Sequence, residues 1–309
     1  MLFKLVVPEH YDLLASVHSW IYPDIQPVPE QTGERFFTRI YEIDGVRVPI
    51  VIEQDQPGEQ LSINYPSVGI SKSKIAILLK DVLGLKVQMK NAIAILCKDP
   101  LLSSIATHVS GIQPYLSPTA YEALLKTIIQ QQISYRAANV LTKRMILELS
   151  QKMNFKGRTI FDFPKPEAIS MNGLDGLRAF GFGYKAEYIY SVNKLVCDNS
   201  LNIEALKSLP YDEVSEILRP IRGIGDWTIR TLAIAGLGNF TVFPCDDLGV
   251  RNLMGRIYHD DGSRMTTPEV EDFAESWGKD WPLVLYLLMS ADVLGLFGQQ
   301  GRQQMHKRP

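Results

Sequence analysis

Up to about residue 88 the chain shows β-type patterning. "VRVPIVIEQDQ" and "QLSINYPSVGI" are runs rich in β-branched residues with partial alternation, bounded by Gly, Pro and Asp, and they predict strands joined by turns. "SKSKIAILLKDVLGL" then predicts a helix. Beyond residue 88 apolar positions recur at helical spacing, predicting helices over 90–97, 101–109, 118–132, 134–153, 166–180, 184–197, 202–208, 211–219, 226–237, 247–258, 268–277 and 281–296. The pattern therefore predicts a mainly α protein, with a smaller α+β N-terminal domain over 1–88 (an antiparallel sheet with helices) and an all-helical domain over 89–297. Residues 298–309, "GQQGRQQMHKRP", lack periodicity and are expected to form a flexible tail.

Composition limits the functional classes. With 309 residues and 46% hydrophobic content the chain can bury a sizeable core, and its length fits about two domains. No secretory leader pattern is visible, and no apolar run reaches a membrane span of ~20 residues, so a cytoplasmic location is expected by default. Cys97, Cys197 and Cys245 lie far apart without C-x-x-C spacing. They point to neither a disulfide framework nor a metal cluster, and read as buried small residues. A formal charge of -2 gives no global signal for nucleic acid, so any DNA footprint must be local.

One stretch departs from ordinary helix packing. "YDEVSEILRPI" and "DWTIRTLAIAGL" both carry helical apolar spacing, and "RGIG" (222–225) breaks them into helix, hairpin, helix. Gly223 and Gly225 permit backbone conformations costly for other residues and remove side chains that would keep another backbone away. The free amides opening the second helix, aided by its dipole, suit a phosphate. Arg222, Gly223, Ile224 and Gly225 are thus candidate phosphate contacts, although G-h-G alone also serves as a plain turn. Twenty positions on, Asp246 and Asp247 stand at the mouth of the next helix.

The segment "LRPIRGIGDWTIRTLAIAGLGNFTVFPCDDLGVRNL" (218–253) resembles the signature of the helix-hairpin-helix DNA glycosylase superfamily, HhH-GPD, and most of all its 3-methyladenine DNA glycosylase II (AlkA-type) branch. "SPTAYEALLKTIIQQQIS" and "GFGYKAEYI" extend the resemblance upstream, and it covers most of the chain. The resemblance implies a hydrolase of base excision repair that flips alkylated purines out of double-stranded DNA and cleaves the N-glycosidic bond. It needs no organic cofactor, acts as a monomer, and works in the nucleoid of a prokaryote or the nucleus of a eukaryote. In a D-x-x-[VI]-[KR] context, "DLGVR" makes Asp247 the catalytic aspartate, while Asp246 is expected to cap the helix.

Such chemistry needs an acid. Cleavage builds oxocarbenium character on deoxyribose, and a fixed carboxylate near C1′ stabilises that charge and orients or deprotonates water. A cationic damaged base leaves neutral, so a strong general acid is not required. Trp227 stands where bifunctional relatives carry a Schiff-base lysine, and its face suits an electron-poor base. Thr231 and Ser290 occupy positions where the branch can carry further pocket aromatics, which leaves the lesion range open. Gln132 matches the residue that fills the gap left by the flipped base. Arg136, Lys143, Arg144, Lys185, Arg230 and Arg251 are further candidates for phosphates. The superfamily often holds a monovalent cation on hairpin carbonyls. Two other functions stay open: a glycosylase for oxidised or deaminated purines, such as 8-oxoguanine or hypoxanthine, and a non-catalytic helix-hairpin-helix DNA-binding module.

Overall fold

The computed structural model describes residues 1–297; the tail expected at 298–309 lies outside the described residues. The N-terminal part holds β1 (Leu2–Leu5), α1 (Leu13–His18), β2 (Gln31–Thr32), β3 (Phe36–Ile43), β4 (Val46–Glu53), β5 (Leu61–Asn64) and α2 (Lys72–Val82). The five strands form one antiparallel sheet in the order β1-β5-β4-β3-β2. Its core includes Phe37, Ile50, Ile52 and Ile63 with Ile75 and Leu79 of α2, all fully buried.

The helical part follows as α3 (Lys90–Lys98), α4 (Ser103–Val109), α5 (Ala120–Gln130), α6 (Tyr135–Leu149), α7 (Pro166–Ala179), α8 (Lys185–Cys197), α9 (Tyr211–Leu218), α10 (Asp226–Leu232), α11 (Leu248–Tyr258), α12 (Thr267–Ser276) and α13 (Trp281–Val293). Several starts are set by side-chain caps: Thr119 accepts from the Glu122 amide, Ser134 from Ala137, and Thr266 forms a reciprocal box with Glu269. These helices build two hydrophobic clusters rather than one. The first joins α3 and α4 to α11, α12 and α13; the second joins α5 to α10. Leu232, the last residue of α10, belongs to the second and Ile234 to the first, so the seam falls just beyond α10.

The structure departs from the periodic reading in four places, one of them a kink in α7 at Gly173, whose φ of +69° is not helical. The helix predicted over 134–153 stops at Leu149, and a hairpin follows, β6 (Lys152–Phe155) and β7 (Arg158–Phe161). Its turn residues Lys156 and Gly157 both have positive φ, 52° and 71°, the requirement of a two-residue hairpin turn. Ile160 of β7 packs on Ile40 and Val51 of the sheet. The helix predicted over 202–208 is a tighter 3-10 turn, Ile203–Ser208. The helix predicted over 226–237 changes after Leu232 into one π turn, Ala233–Leu237.

Sheet and helices are tied by a buried ionic cluster. Arg39 of β3, 2% exposed, donates to Glu30 at 2.8 Å and to Glu122 of α5 at 2.6 Å, and Lys126 reaches both acids. Burial alone would raise the Glu122 carboxyl, but Arg39 and Lys126 together hold it below its usual range. Removing one member of such a cluster leaves an uncompensated buried charge and costs about 3–5 kcal/mol. The cluster fixes α5 against the sheet, and α5 ends at the junction leading to Gln132.

Candidate active site

Asp247 and Trp227 face each other across the seam. Asp247 is the N-cap of α11, and its Oδ1 accepts from the amides of Gly249 and Val250 at 2.7 and 3.2 Å. Its Oδ2 accepts from Trp227 Nε1 at 2.6 Å. Three donors thus fix one partly exposed carboxylate, and the helix N-terminus favours its negative charge. Asp246 does not cap the helix as the sequence led us to expect. It is exposed and pairs with Arg230 of α10 at 3.1 Å, because the turn before α11 brings the side chain of Asp247, not Asp246, under the first free amides.

Gly223 has φ +89°, and a Cβ there would stand 2.3 Å from the Tyr188 ring, so the hairpin needs glycine for both conformation and space. Gly225, the N-cap of α10, has an ordinary negative φ of -104° and open space around it, so it does not share that conformational need. Ile224 is buried in the helical core; Arg222 is 80% exposed in its side chain and lies over Tyr188. A polar groove of about 450 Å³ runs along Arg219, Arg222 and Gly223 to Gln131, Gln132 and Tyr184. Gly223 O accepts from Gln131 Nε2 and Ile221 O from the Ile224 amide; each keeps a second lone pair, which suits the monovalent cation suggested by resemblance.

Gln132 sits just past α5, exposed, with φ +54°, and its Oε1 accepts from Tyr184 at 2.9 Å. Such a left-handed conformation is costly for a non-glycine residue and persists only where neighbours over-determine it. Three ties do so. Besides Tyr184, Gln131 Nε2 donates to Gly223 O at 2.7 Å and to Thr228 at 3.0 Å, and Lys185 Nζ donates to Ile129 O at 2.6 Å. Sequence reasoning missed Gln131 and Tyr184, since neither residue type nor spacing signals these partners.

Thr231 and Ser290 are buried, on α10 and α13. Thr231 Oγ1 has no hydrogen-bond partner among the described residues, and Ser290 bonds back to Tyr286 O. Neither lines the groove or a further cavity lined by Trp20, Tyr135 and Ala235 among others. Several basic candidates are engaged within the protein: Arg136 with Asp24, Arg144 with Phe180 O, Arg251 with Met265 O, and Lys185 as above. Cys245 is buried, and burial, followed by the charge of Glu271, pushes its thiol up to about 12; Cys97 and Cys197 are exposed rather than buried. Among the described residues no group of three or more His, Cys, Asp or Glu side chains is placed to hold a metal, and no helix is long and apolar enough to cross a membrane.

Comparison with known proteins gives the same region prominence. A family model described as HhH-GPD superfamily base excision DNA repair protein matches residues 125–279. A Bacillus subtilis protein named DNA-3-methyladenine glycosylase is 28% identical over 184 residues, 59% of this chain and 60% of that relative, so the match spans under two thirds of the relative's length. The solved 3-methyladenine DNA-glycosylase from Archaeoglobus fulgidus superposes with a TM-score of 0.84 at 26% identity, covering 94% of this chain and 98% of that one. The Clostridium acetobutylicum 8-oxoguanine glycosylase/lyase, solved with double-stranded DNA, shares the fold with a TM-score of 0.73 at 18% identity over 94% and 97% of the two chains.

Proposed function

The chain belongs to the HhH-GPD superfamily of base excision DNA repair proteins, and from that premise we propose that it is a monofunctional DNA glycosylase excising alkylated purines of the 3-methyladenine and 7-methylguanine type. The observation that carries the proposal is the carboxylate of Asp247, fixed by two helix amides and the Trp227 indole. A module that only grips phosphates gains nothing from an anion held toward DNA. In a glycosylase the same anion stabilises the oxocarbenium ion and orients the attacking water. Arg222 and the amides around Gly223 take a phosphate beside the lesion, and Gln132 fills the space left by the extruded base. With tryptophan rather than lysine at 227, that position offers no amine to attack C1′, so the product is an intact abasic strand. The relatives named for 3-methyladenine support the alkylated class.

The test uses duplexes with one defined lesion each, incubated with the chain and then heated in alkali to reveal abasic sites. Cleavage at 7-methylguanine or 3-methyladenine is the expected result. Cleavage at 8-oxoguanine alone, or at no lesion despite DNA binding, overturns the proposal.

A further inference from the structure

The turn that carries Gln132 is one in which glutamine is a costly choice. Gln131 has φ -49° and ψ 130°, Gln132 has φ +54°, and the Ile133 amide donates to Gln130 O at 3.4 Å. That is the course of a type II turn, whose second central position favours glycine or asparagine. Strain of this kind persists where neighbours over-determine it and the side chain is needed. Two routes of contact hold the turn, and both start from Gly223 of the hairpin. We propose that Gln131 and Tyr188, one on each route, are positioning residues that keep the wedge Gln132 in register with the phosphate-binding hairpin. The inference rests on the glycosylase reading and deepens it, since it names the residues that aim base extrusion.

The first route runs through a single carboxamide. Gln131 Nε2 donates to Gly223 O at 2.7 Å and to Thr228 Oγ1 at 3.0 Å, which uses both of its N–H groups within the protein. Gly223 belongs to the hairpin, and Thr228 follows Trp227 on α10. One side chain therefore ties the turn both to the phosphate contacts and to the helix that presents Trp227 to Asp247. The second route runs through two rings. A Cβ on Gly223 would stand 2.3 Å from the Tyr188 ring, so the hairpin backbone lies directly against that ring. Tyr188 packs edge-on against Tyr184 with centroids 5.5 Å apart, and the Tyr184 hydroxyl donates to Gln132 Oε1 at 2.9 Å. The contacts close a circuit from Gly223 through Gln131, Gln132, Tyr184 and Tyr188 back to Gly223.

A closed circuit fixes an offset. Phosphate contacts set the register of a protein on a duplex, and the circuit passes that register to Gln132. A phosphate gripped by the hairpin then aims the side chain at one base step, whereas an untied turn would leave it free to face several. Arg222, the hairpin's charged contact, lies 6.0 Å from the Tyr188 centroid and 3.7 Å from Glu187. A phosphate drawn to Arg222 therefore bears on the circuit at Tyr188 as well as at Gly223. Extrusion is costly on well-paired DNA and less so where a mismatch has already loosened the pair. A wedge out of register therefore shows first on the paired duplex.

The test compares Gln131→Met and Tyr188→Leu, each alone and combined with Gln132→Ala, in single-turnover excision of 7-methylguanine. Two duplexes are used, one well paired and one with the lesion opposite a mismatch, with melting curves as a check on folding. Gln131→Met keeps the volume and removes both donors, so it should lose roughly tenfold in rate on the paired duplex and about threefold or less opposite the mismatch. Added to Gln132→Ala it should lose nothing further, because it acts through that side chain. A residue that only supports the fold would slow both duplexes alike and add its loss to that of Gln132→Ala. Either of those results, or a rate within about twofold of the parent on the paired duplex, overturns the inference. If Gln131→Met fails to fold, Tyr188→Leu decides by the same comparison. If the parent excises no alkylated base, the glycosylase reading fails, and opening is read alone from the fluorescence of 2-aminopurine in a paired duplex, which rises on unstacking. A rise with the parent that is lost in Gln131→Met and in Gln132→Ala then sustains the circuit, and an equal rise in Gln131→Met, or none with the parent, overturns it.

Discussion

Replacing Asp247 by asparagine separates charge from shape at the proposed catalytic carboxylate. At about 4 Å from a developing unit charge, with an effective dielectric near 20, a carboxylate contributes about 4 kcal/mol. Its loss should slow excision by about 10³-fold. The substitution should also cost stability, although the two side chains match in outline. Oδ1 accepts from two amides and Oδ2 from the Trp227 indole, so an asparagine in either orientation sets its own NH₂ against a donor. One unmade bond of this kind costs about 1–3 kcal/mol, a drop of a few degrees in melting temperature. The assay is single-turnover excision from a duplex with one 7-methylguanine, beside calorimetric melting and binding to undamaged duplex. Asp247→Ser, which still caps α11 without a carboxylate, guards against a folding artefact. A rate within tenfold of the parent in both variants would refute the electrostatic role, and an unchanged melting temperature in Asp247→Asn would refute the donor network.

Trp227→Phe keeps a stacking face and removes the indole donor, so excision should fall about tenfold with the lesion preference unchanged; an unaltered single-turnover rate would mean that Asp247 is held without it. Gln132→Ala should weaken excision from well-paired duplex markedly and much less where the lesion sits opposite a mismatch, and equal losses on both would remove the residue from base extrusion. Borohydride should trap no covalent adduct with substrate DNA, and a trapped band on a denaturing gel would reveal an amine nucleophile. Burial lowers the Lys185 amine from 10.5 to about 8, so between those values the unfolded chain binds more protons and stability rises with pH; below pH 8 this contribution is flat. Urea midpoints at pH 7.5, 9 and 10 should show that rise in the parent and not in Lys185→Met.

Legibility followed the range over which each feature is encoded. Amphipathic helices such as α8 and α9 are written in consecutive residues, and the structure shows them close to the spans 184–197 and 211–219 that periodicity predicts. The β6–β7 hairpin was missed because its strands have four residues each, too short for a period; the Lys156-Gly157 turn was its one local sign. Beside Trp227, two adjacent acids had equal capping propensity, and the cap expected of Asp246 falls to Asp247. Which one turns under the α11 amides depends on the approach of residues 239–246, where Asn239 bonds Ala233 O and the π turn ends α10. Trp227, Thr231 and Ser290 were read as facing a base because they match pocket positions of the resembled branch, yet the direction in which a helix shows its faces is set by packing. Two hydrophobic clusters meet just beyond α10, so Thr231, one turn after Trp227, is turned into the interior. Tyr135 packs against Trp20 and Tyr22 from more than 110 residues away, a contact that carries no spacing signal. They meet because Arg39, Glu30 and Glu122 pin the sheet against α5, bringing the segment after α1 beside the start of α6. Breaking that cluster, for example by Arg39→Met, should therefore loosen the packing of Tyr135 on Trp20 and Tyr22 as well as lower stability.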